Sequence, residues 1–373
     1  MNSDAVICGF ARSPFTPAKK GEFAKTRPDD LAAEVVKGLI KKYSINVNDV
    51  EDLILGCAFP EAEQGMNLAR NVVFLSGLPD SVGGVTVNRF CASSMQAIHQ
   101  AAGAIISGSG DLFIAGGVES MSRVPMPGFN PMLNPSLIDM DAYIGMGHTA
   151  ENLAKKYSIS REDQERMALE SHQKATVAND KNQFNNEIIS INGVSKDGCV
   201  RSETSLESMA KLKPAFDKKG VVTAGTSSPL TDGAAAVIVC SENYAKTNNL
   251  KIMAYIRGMA ISGCSPEIMG IGPVLSSQKA LKRAGIDLKD IDIIEMNEAF
   301  AAQSLACVKE LGIDRSKLNI HGGAISMGHP LGASGARITG KAASLLQETG
   351  KKYALSTMCV GGGQGCATVL ERA

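Results

Sequence analysis

Apolar positions in the first 118 residues alternate between short runs and longer stretches with helical spacing. The short runs predict strands at Ala5–Phe10, Leu53–Cys57, Val82–Val87 and Leu112–Ala115. The Val82–Val87 strand, which precedes Cys91, is predicted to be buried. The longer stretches place apolar residues three and four positions apart and predict helices at Asp30–Lys42, Met66–Ser76 and Ala92–Ile106. Strands that alternate with helices are typical of a layered α/β domain.

The pattern changes at Ser120. Residues 122–140 are rich in Pro, Met and Asn, and residues 193–219 are polar and irregular; helices are predicted at Thr149–Tyr157 and Arg161–Asn182. Strand character resumes at Val221 and again at Ala235–Cys240. We therefore expect three parts: an N-terminal half from residues 1–119 with about 231–250, an inserted loop domain at 120–230, and a C-terminal half at 251–373.

The second half of the chain repeats the first at a constant separation of 241 residues. Leu39–Leu53 aligns with Ala280–Ile294, and the alignment continues without a gap until Leu112–Val118 meets Tyr353–Cys359. A register that holds over about 80 residues predicts two α/β halves with the same fold. If their helices face each other, the strand ends of both halves open onto one crevice, where α/β folds bind ligands.

Cys91 stands where the Val82–Val87 strand gives way to the next helix. Free backbone N–H groups and the positive end of the helix dipole point at such a position. Both favour the thiolate, which is the nucleophilic form of cysteine. A free cysteine is also a small apolar residue that often packs in a core, so this stretch alone leaves both interpretations open.

Composition restricts the class of protein. The 373 residues suffice for two or three domains, and 38 basic residues balance 38 acidic ones without a basic block for nucleic acid. Nine cysteines occur singly and lack metal-ligand spacing, which favours free thiols in a reducing compartment and no metal site. The N-terminal apolar run is too short for a signal peptide or membrane span, and the C-terminal ERA is not a peroxisomal signal, so we expect a soluble cytoplasmic protein.

The two halves differ where they carry reactive side chains. The corresponding pairs are Cys91 and Gly332, Asn88 and His329, and Val118 and Cys359. Each half thus contributes different groups to the shared crevice: one cysteine from the first, a histidine and a cysteine from the second. The NEAFA stretch at Asn297–Ala301 adds a carboxamide and a carboxylate at a predicted strand end.

Five stretches resemble signatures of the thiolase family. They are VNRFCASSMQAI, TAGTSSPLTDGAAA, NEAFA, NIHGGAISMGHPLGASG and ALSTMCVGGGQGCA. They occur in the family's order, and the similarity extends from about residue 3 to the C-terminus. The resemblance implies the thiolase-like α/β fold, in which duplicated halves form a layered αβαβα core and the inserted loop domain of the first half binds CoA.

The resemblance also implies roles for five residues. Cys91 is the nucleophile that takes the acyl group, and His329 is the base that activates it. Cys359 protonates the departing acetyl-CoA carbanion and then deprotonates the incoming CoA thiol. His329 with a water held by Asn297 forms one oxyanion hole, and the N–H groups of Cys91 and Gly361 form the other. This fits the chemistry, because a carbon leaving group needs a proton donor and each oxyanion needs fixed donors worth about 3 kcal/mol.

Substrate contacts are implied as well. Ser228 resembles the serine that contacts the pantetheine arm, and Met146 and Phe300 resemble residues that line the acyl pocket. The CoA phosphates are expected at the inserted loop domain, with four candidate side chains: Lys211, Lys213, Lys218 and Lys219. Pocket and structural roles both stay open for His321 and His148.

The expected ligands and partners follow from the same resemblance. CoA acts as a substrate, and no tightly bound cofactor is expected. CoA thioesters are the expected small-molecule partners, and a homodimer or homotetramer and a fatty-acid-oxidation multienzyme partner are the expected assemblies. Neither nucleic-acid binding nor membrane insertion is expected.

The leading hypothesis is an acetyl-CoA C-acyltransferase that cleaves 3-ketoacyl-CoA with CoA through an acyl-Cys91 intermediate. Two departures from the short-chain biosynthetic branch favour the degradative, fatty-acid-oxidation branch: Thr226 stands where that branch has Asn, and Gly145 stands where it has His. The glycine triplet at 361–363 favours the short-chain branch, so an acetoacetyl-CoA acetyltransferase is kept as the alternative. A non-catalytic CoA-ester binding protein is disfavoured, because the two cysteines and the histidine are all present.

Overall fold

The computed structural model describes residues 4–373, which form ten strands and twelve α-helices. The strands are β1 Ala5–Arg12, β2 Thr16–Pro17, β3 Asp52–Gly56, β4 Gly83–Val87, β5 Leu112–Ser120, β6 Thr231–Ser241, β7 Ala254–Gly263, β8 Ile293–Met296, β9 Tyr353–Val360 and β10 Gln364–Arg372. The helices are α1 Pro28–Tyr43, α2 Leu68–Ser76, α3 Ser93–Ser107, α4 Pro135–Asp139, α5 Met146–Tyr157, α6 Arg161–Asp180, α7 Leu206–Ala210, α8 Glu242–Thr247, α9 Gly272–Ala284, α10 Ala301–Leu311, α11 Ala324–Met327 and α12 Ser334–Thr349.

The strands form two matching halves. The order is β4-β3-β5-β6-β1 in the first half and β7-β10-β9-β8 in the second, and they join where β1 pairs with β7 over two residue pairs. Neighbours run antiparallel except at β3–β4, β3–β5 and β8–β9. Helices α1 and α2 cover the outer face of the first half, and α9 and α10 that of the second. Because α3 and α12 pack together between the halves, the layers alternate as αβαβα, and the predicted fold class is confirmed.

The internal repeat is confirmed at the level of element boundaries. Corresponding elements begin or end 241 residues apart: α1 ends at Tyr43 and α9 at Ala284, short 3₁₀ turns cover Val47–Asp49 and Leu288–Asp290, and α3 begins at Ser93 and α12 at Ser334. Cys91 and Gly332 therefore occupy equivalent positions, each two residues before a central helix.

Two strand predictions were wrong in detail. The strand before Cys91 was expected to be buried, but β4 is an edge strand whose residues are half-buried or exposed, because no strand within residues 4–373 pairs with its outer edge. Val221 was expected to begin a strand, but only an isolated bridge at Thr223 forms there and β6 begins at Thr231. The repeat also ends at this edge: where β4 would recur the second half has α11, and a single parallel bridge joins Ile294 to Leu318.

Buried charges attach the segment between β5 and β6 to the core. Arg12 on β1 donates to Glu187 at 2.7 Å and to both carboxylate oxygens of Asp197 at 2.7 and 2.8 Å. Lys341 on α12 donates to the other oxygen of Glu187 at 2.8 Å. Since Arg12 and Lys341 lie on the first and second halves, this ion network joins the segment to both.

Candidate active site

Cys91 lies in a tight turn that the first half builds before α3. The turn is a 3₁₀ helix over Phe90–Ala92, and Phe90 has a left-handed backbone with φ of 43°. The Ser93 hydroxyl accepts the Arg89 N–H at 2.9 Å and donates to the Phe90 carbonyl at 2.6 Å, which fixes the turn. Cys91 itself is buried, with 9% of its surface exposed.

Burial dominates the ionisation of Cys91. Desolvation raises the pKa of its thiol to about 12, and the negative charge of Glu119 adds to the rise. Hydrogen bonds from the N–H groups of Gly361 and of Cys91 itself oppose the rise without cancelling it. The expectation that the turn and helix dipole favour the thiolate is therefore corrected: Cys91 rests as a thiol and needs a base.

His329 is held as a neutral imidazole with one defined tautomer. Its Nδ1 lies 2.5 Å from the Ser334 hydroxyl, which itself donates to the Pro330 carbonyl at 3.0 Å. Because that hydroxyl has already donated its hydrogen, it accepts from Nδ1–H, which leaves the lone pair on Nε2. Burial, and then the charge of Arg337, lower the pKa of His329 to about 3. His329 therefore carries an unprotonated Nε2 in the neutral pH range.

Asn297 and Cys359 reach the same place from strand ends of the second half. Asn297 follows β8, is fully buried, and places its amide nitrogen 3.3 Å from Nε2 of His329. Its Oδ1 has no hydrogen-bond partner within residues 4–373. Cys359 is fully buried near the end of β9, where burial and then the neighbouring Cys91 raise the pKa of its thiol. Thus Cys91, Gly361 and Cys359 lie together, and Asn297 lies beside His329, two residues before Leu331, which shares an apolar cluster with Cys91.

The predicted acyl-pocket residues form a wall beside this centre. Met146, the first residue of α5, places its sulfur 3.9 Å from the position that a Cβ would take on Gly361. Phe300 is buried just before α10 and meets the ring of Phe216 edge-on, with centroids 5.8 Å apart. Phe216 also packs on Gly147 and was not predicted. Met146 and Phe300 pack in one apolar cluster with Cys359.

Ser228 and the candidate lysines lie along the segment that leads to this wall. The N–H of Ser228 donates to the Ala299 carbonyl at 3.0 Å, directly beside Phe300. The lysines flank Phe216 and are all exposed: Lys211, which pairs with Glu207 at 2.6 Å, and Lys213, Lys218 and Lys219. The hydroxyl of Thr226 bonds to Thr223 within its own turn.

The two undecided histidines lie in different surroundings. His321 is buried against the ring of Phe184 at 6.1 Å, next to the Arg12 ion network, and burial lowers its pKa to about 4. His148 is exposed on α5 and lies beside Gly145, where a Cβ would sit 3.4 Å from the imidazole ring.

Sequence reasoning missed the residues that orient the centre. Ser334 fixes the tautomer of His329, and its correspondence with Ser93 under the repeat could have indicated it. Glu119 is buried near the end of β5 and Gln64 in a 3₁₀ turn after β3, and Glu119 accepts the N–H of Gly332 at 2.8 Å. A glutamate at the end of a buried run, GGVES, was the available signal for Glu119.

Comparisons with known proteins agree with this arrangement. The family model described as "Thiolase, N-terminal domain" matches residues 5–243, and "Thiolase, C-terminal domain" matches residues 250–372. Proteins named 3-ketoacyl-CoA thiolase from Shewanella loihica and Aliivibrio fischeri are 49% and 48% identical, each over 99% of both chains. One with the same name from Vibrio parahaemolyticus is 46% identical over 99% of this chain and 98% of its own. The chain belongs to the thiolase family.

Proposed function

We propose that this protein is a 3-ketoacyl-CoA thiolase, an acetyl-CoA C-acyltransferase of the degradative branch. It converts 3-ketoacyl-CoA and CoA to acyl-CoA and acetyl-CoA. The observation that carries the proposal is the meeting of two buried thiols from different halves of a duplicated fold, Cys91 and Cys359. The neutral imidazole of His329 lies on a neighbouring turn, whose Leu331 shares an apolar cluster with Cys91. The shared name of the full-length relatives supports the degradative reaction over the short-chain alternative.

In the first half-reaction, Nε2 of His329 takes the proton of the Cys91 thiol as its sulfur attacks the 3-keto carbon. A base is needed because burial holds the pKa of Cys91 at about 12. The bond between C2 and C3 then breaks, and its electron pair leaves as the acetyl-CoA carbanion. The Cys359 thiol donates its proton to that carbanion, which leaves an acyl group on Cys91 and a thiolate on Cys359.

In the second half-reaction, the Cys359 thiolate takes the proton of the incoming CoA thiol. The CoA sulfur attacks the acyl carbon, the bond to Cys91 breaks, and the Cys91 sulfur recovers its proton from His329. His329 returns to Cys91 the proton that it took, and CoA replaces the proton that Cys359 gave to acetyl-CoA. The cycle therefore ends with the same thiol and imidazole forms that the resting centre holds.

Two sets of donors suit the two negatively charged oxygens that form along this path. The N–H groups of Cys91 and Gly361 point at the Cys91 sulfur and suit the oxygen on the attacked carbon. The second set is His329 with a water held by Asn297. The unpartnered Oδ1 of buried Asn297 supports this assignment, since buried carboxamide oxygens normally accept a hydrogen bond from protein or water.

CoA enters as a substrate, and the proposal includes no tightly bound cofactor. We assign the acyl chain to the wall formed by Met146, Phe216 and Phe300, and the pantetheine arm to Ser228. The CoA phosphates meet the exposed lysines around Phe216, which places CoA recognition in an inserted loop domain at residues 120–230. The N-terminal half then comprises 1–119 with about 231–250, and the C-terminal half comprises 251–373.

The enzyme is expected to accept acyl chains longer than four carbons. Gly145 leaves open space beside Met146, and its backbone φ of −64° also suits a residue with a side chain. Wild-type enzyme should cleave 3-ketohexanoyl-CoA, whereas Gly145→His should lower kcat/KM for this substrate relative to acetoacetyl-CoA by about tenfold. Steady-state kinetics across 3-ketoacyl-CoA lengths measure both effects.

Gly145→Ala is the matched control for the chain-length experiment, because a methyl group fills little of the space and should leave the ratio of the two substrates nearly unchanged. Activity confined to acetoacetyl-CoA in the wild-type enzyme would contradict the degradative assignment and favour the acetoacetyl-CoA acetyltransferase. An unchanged ratio in Gly145→His would show that this position does not border the acyl chain.

We also propose a homodimer or homotetramer that functions in the cytoplasm together with a fatty-acid-oxidation partner. The half-exposed edge strand β4 and the exposed apolar side chains of Phe74, Leu75 and Val85 support a contact between copies. Light scattering should give two or four chains for the wild type and fewer for Val85→Lys; a wild-type monomer would contradict the assembly.

No helix within residues 4–373 has the length and apolar character needed to cross a membrane.

A further inference from the structure

The internal repeat gives this protein two equivalent pairs of backbone N–H groups. Under the 241-residue separation, Cys91 corresponds to Gly332 and Gly361 corresponds to Ser120. The two turns also share a hydrogen bond, because Ala92 donates to the Arg89 carbonyl at 2.9 Å and its counterpart Ala333 donates to the Pro330 carbonyl at 3.0 Å. The geometry that aims N–H groups at the Cys91 sulfur therefore exists twice.

The second pair is already occupied by side chains of the first half. The N–H of Gly332 donates to Oε2 of Glu119 at 2.8 Å, and the N–H of Ser120 donates to Oε1 of Gln64 at 2.6 Å. The Gln64 amide then donates to Oε1 of Glu119 at 2.9 Å. Where the first pair faces a reactive thiol, the second faces a carboxylate and the carboxamide that binds it.

The Glu119 carboxylate is buried and surrounded by hydrogen-bond donors, as a bound anion would be. It is 1% exposed, and it also accepts the N–H groups of Ala58 at 2.8 Å and Phe59 at 3.2 Å. The Cys57 thiol donates as well, at 3.7 Å. Five donors from residues 57–59, Gln64 and Gly332 thus converge on one carboxylate, as donors do around an oxyanion. A side chain on Gly332 could not replace it, because a Cβ there would lie 2.5 Å from the Val118 carbonyl oxygen.

We propose that Glu119 is a positioning residue for acyl transfer, and that its carboxylate, together with the carboxamide of Gln64, permanently fills the counterpart of the Cys91 oxyanion hole at Gly332 and Ser120. It holds the His329–Gly332 turn against the loop after β3 and so keeps His329 in register with the Cys91 turn. It also leaves the Cys91 pair as the only one of the two open to a substrate oxygen. This inference rests on the proposed thiolase function.

The first test removes the carboxylate and supplies it again from solution. Glu119→Ala should lower thiolysis by about 10²-fold, because a turn displaced by about 1 Å misplaces the base. Added acetate, which matches the deleted CH₂–COO⁻ group, should raise the thiolysis activity of this variant at least ~tenfold and should show saturation. It should not activate the wild type. Asp292→Ala is the matched control: Asp292 accepts two backbone N–H groups at the opposite strand ends, and acetate should not affect this variant.

The second test measures how the charge of Glu119 affects the reactivity of the Cys91 thiol, and it does not require thiolase activity. Glu119 raises the pKa of Cys91, so Glu119→Gln should lower that pKa and speed alkylation of Cys91 by iodoacetamide at fixed pH by about threefold or more. Loss of thiolysis in the wild type would reject the proposed function but leave this readout intact. Near-normal thiolysis in Glu119→Ala, no effect of acetate, unchanged alkylation in Glu119→Gln, or failure of both variants to fold would each overturn the positioning role.

Discussion

Replacement of Cys359 by serine is expected to lower thiolysis by at least ~10², while acetyl transfer from acetyl-CoA to Cys91 continues slowly. Burial raises the pKa of Cys359, so the resting enzyme holds a protonated donor where the carbanion forms. A serine hydroxyl is a far weaker acid than a thiol and cannot exchange these protons near neutral pH. Self-acetylation needs no carbanion, because a CoA thiolate can leave without a proton. Radiolabelled acetyl transfer to protein, measured beside the steady-state assay, separates the two reactions.

Two variants control this experiment. Cys91→Ser should abolish both thiolysis and self-acetylation, because it removes the nucleophile. Cys307→Ser should retain both, since Cys307 is an equally buried thiol that donates to the Gly270 carbonyl at 3.2 Å, an acceptor that a serine hydroxyl can also use. Near-normal thiolysis in Cys359→Ser would make Cys359 a packing residue and contradict the mechanism.

Replacement of Arg12 by methionine is expected to lower the free energy of unfolding by ~3–5 kcal/mol. Methionine leaves the side chain of Asp197, which is 0% exposed, without its bidentate partner, and Glu187 with Lys341 alone. Because this network joins the segment between β5 and β6 to β1 and α12, and α12 carries the Ser334 that orients His329, thiolysis should fall as well. Urea unfolding of the two proteins measures the difference in stability.

The control and the pH dependence make this prediction specific. Arg257→Met removes a surface ion pair with Asp4 and Glu371 and should cost less than ~1 kcal/mol. Burial alone would raise the pKa of Glu187, but Lys341 and Arg12 lower it from 4.5 to about 2. A folded-state pKa below the unfolded value stabilises the fold above pH 4.5 and loses that contribution as the pH falls toward 2. The effect of Arg12→Met should therefore be largest near neutral pH; an effect no larger than that of Arg257→Met would contradict the role of the network.

The repeat made the fold and the reactive residues predictable from the sequence. A constant separation carries helix ends, turns and strand register from one half to the other, because equivalent hydrophobic patterns bury equivalent faces. It aligned Gly332 with Cys91 and so identified the first half as the one that carries a cysteine at this turn. It failed at the sheet edge, where β4 has no covering strand and its counterpart became α11, because edge positions are less constrained by burial.

The electrostatics of the site were not predictable, because they depend on contacts between the halves. The N–H donors near Cys91 predicted a thiolate. In the folded protein, however, burial of the turn desolvates the thiol and raises its pKa by more than the N–H groups lower it. The tautomer of His329 depends on Ser334 and the Pro330 carbonyl together. Glu119 meets Gly332 across 213 residues of sequence, so no local pattern indicates the contact.

The acyl-cysteine intermediate is the central claim, and mass spectrometry of the intact protein tests it most directly. After mixing with acetyl-CoA alone, wild-type protein should gain one acetyl group, and peptide mapping should place it on Cys91. The Cys91→Ser variant should gain none under the same conditions. A single acetyl group on Cys359, or no adduct on the wild type, would contradict the account.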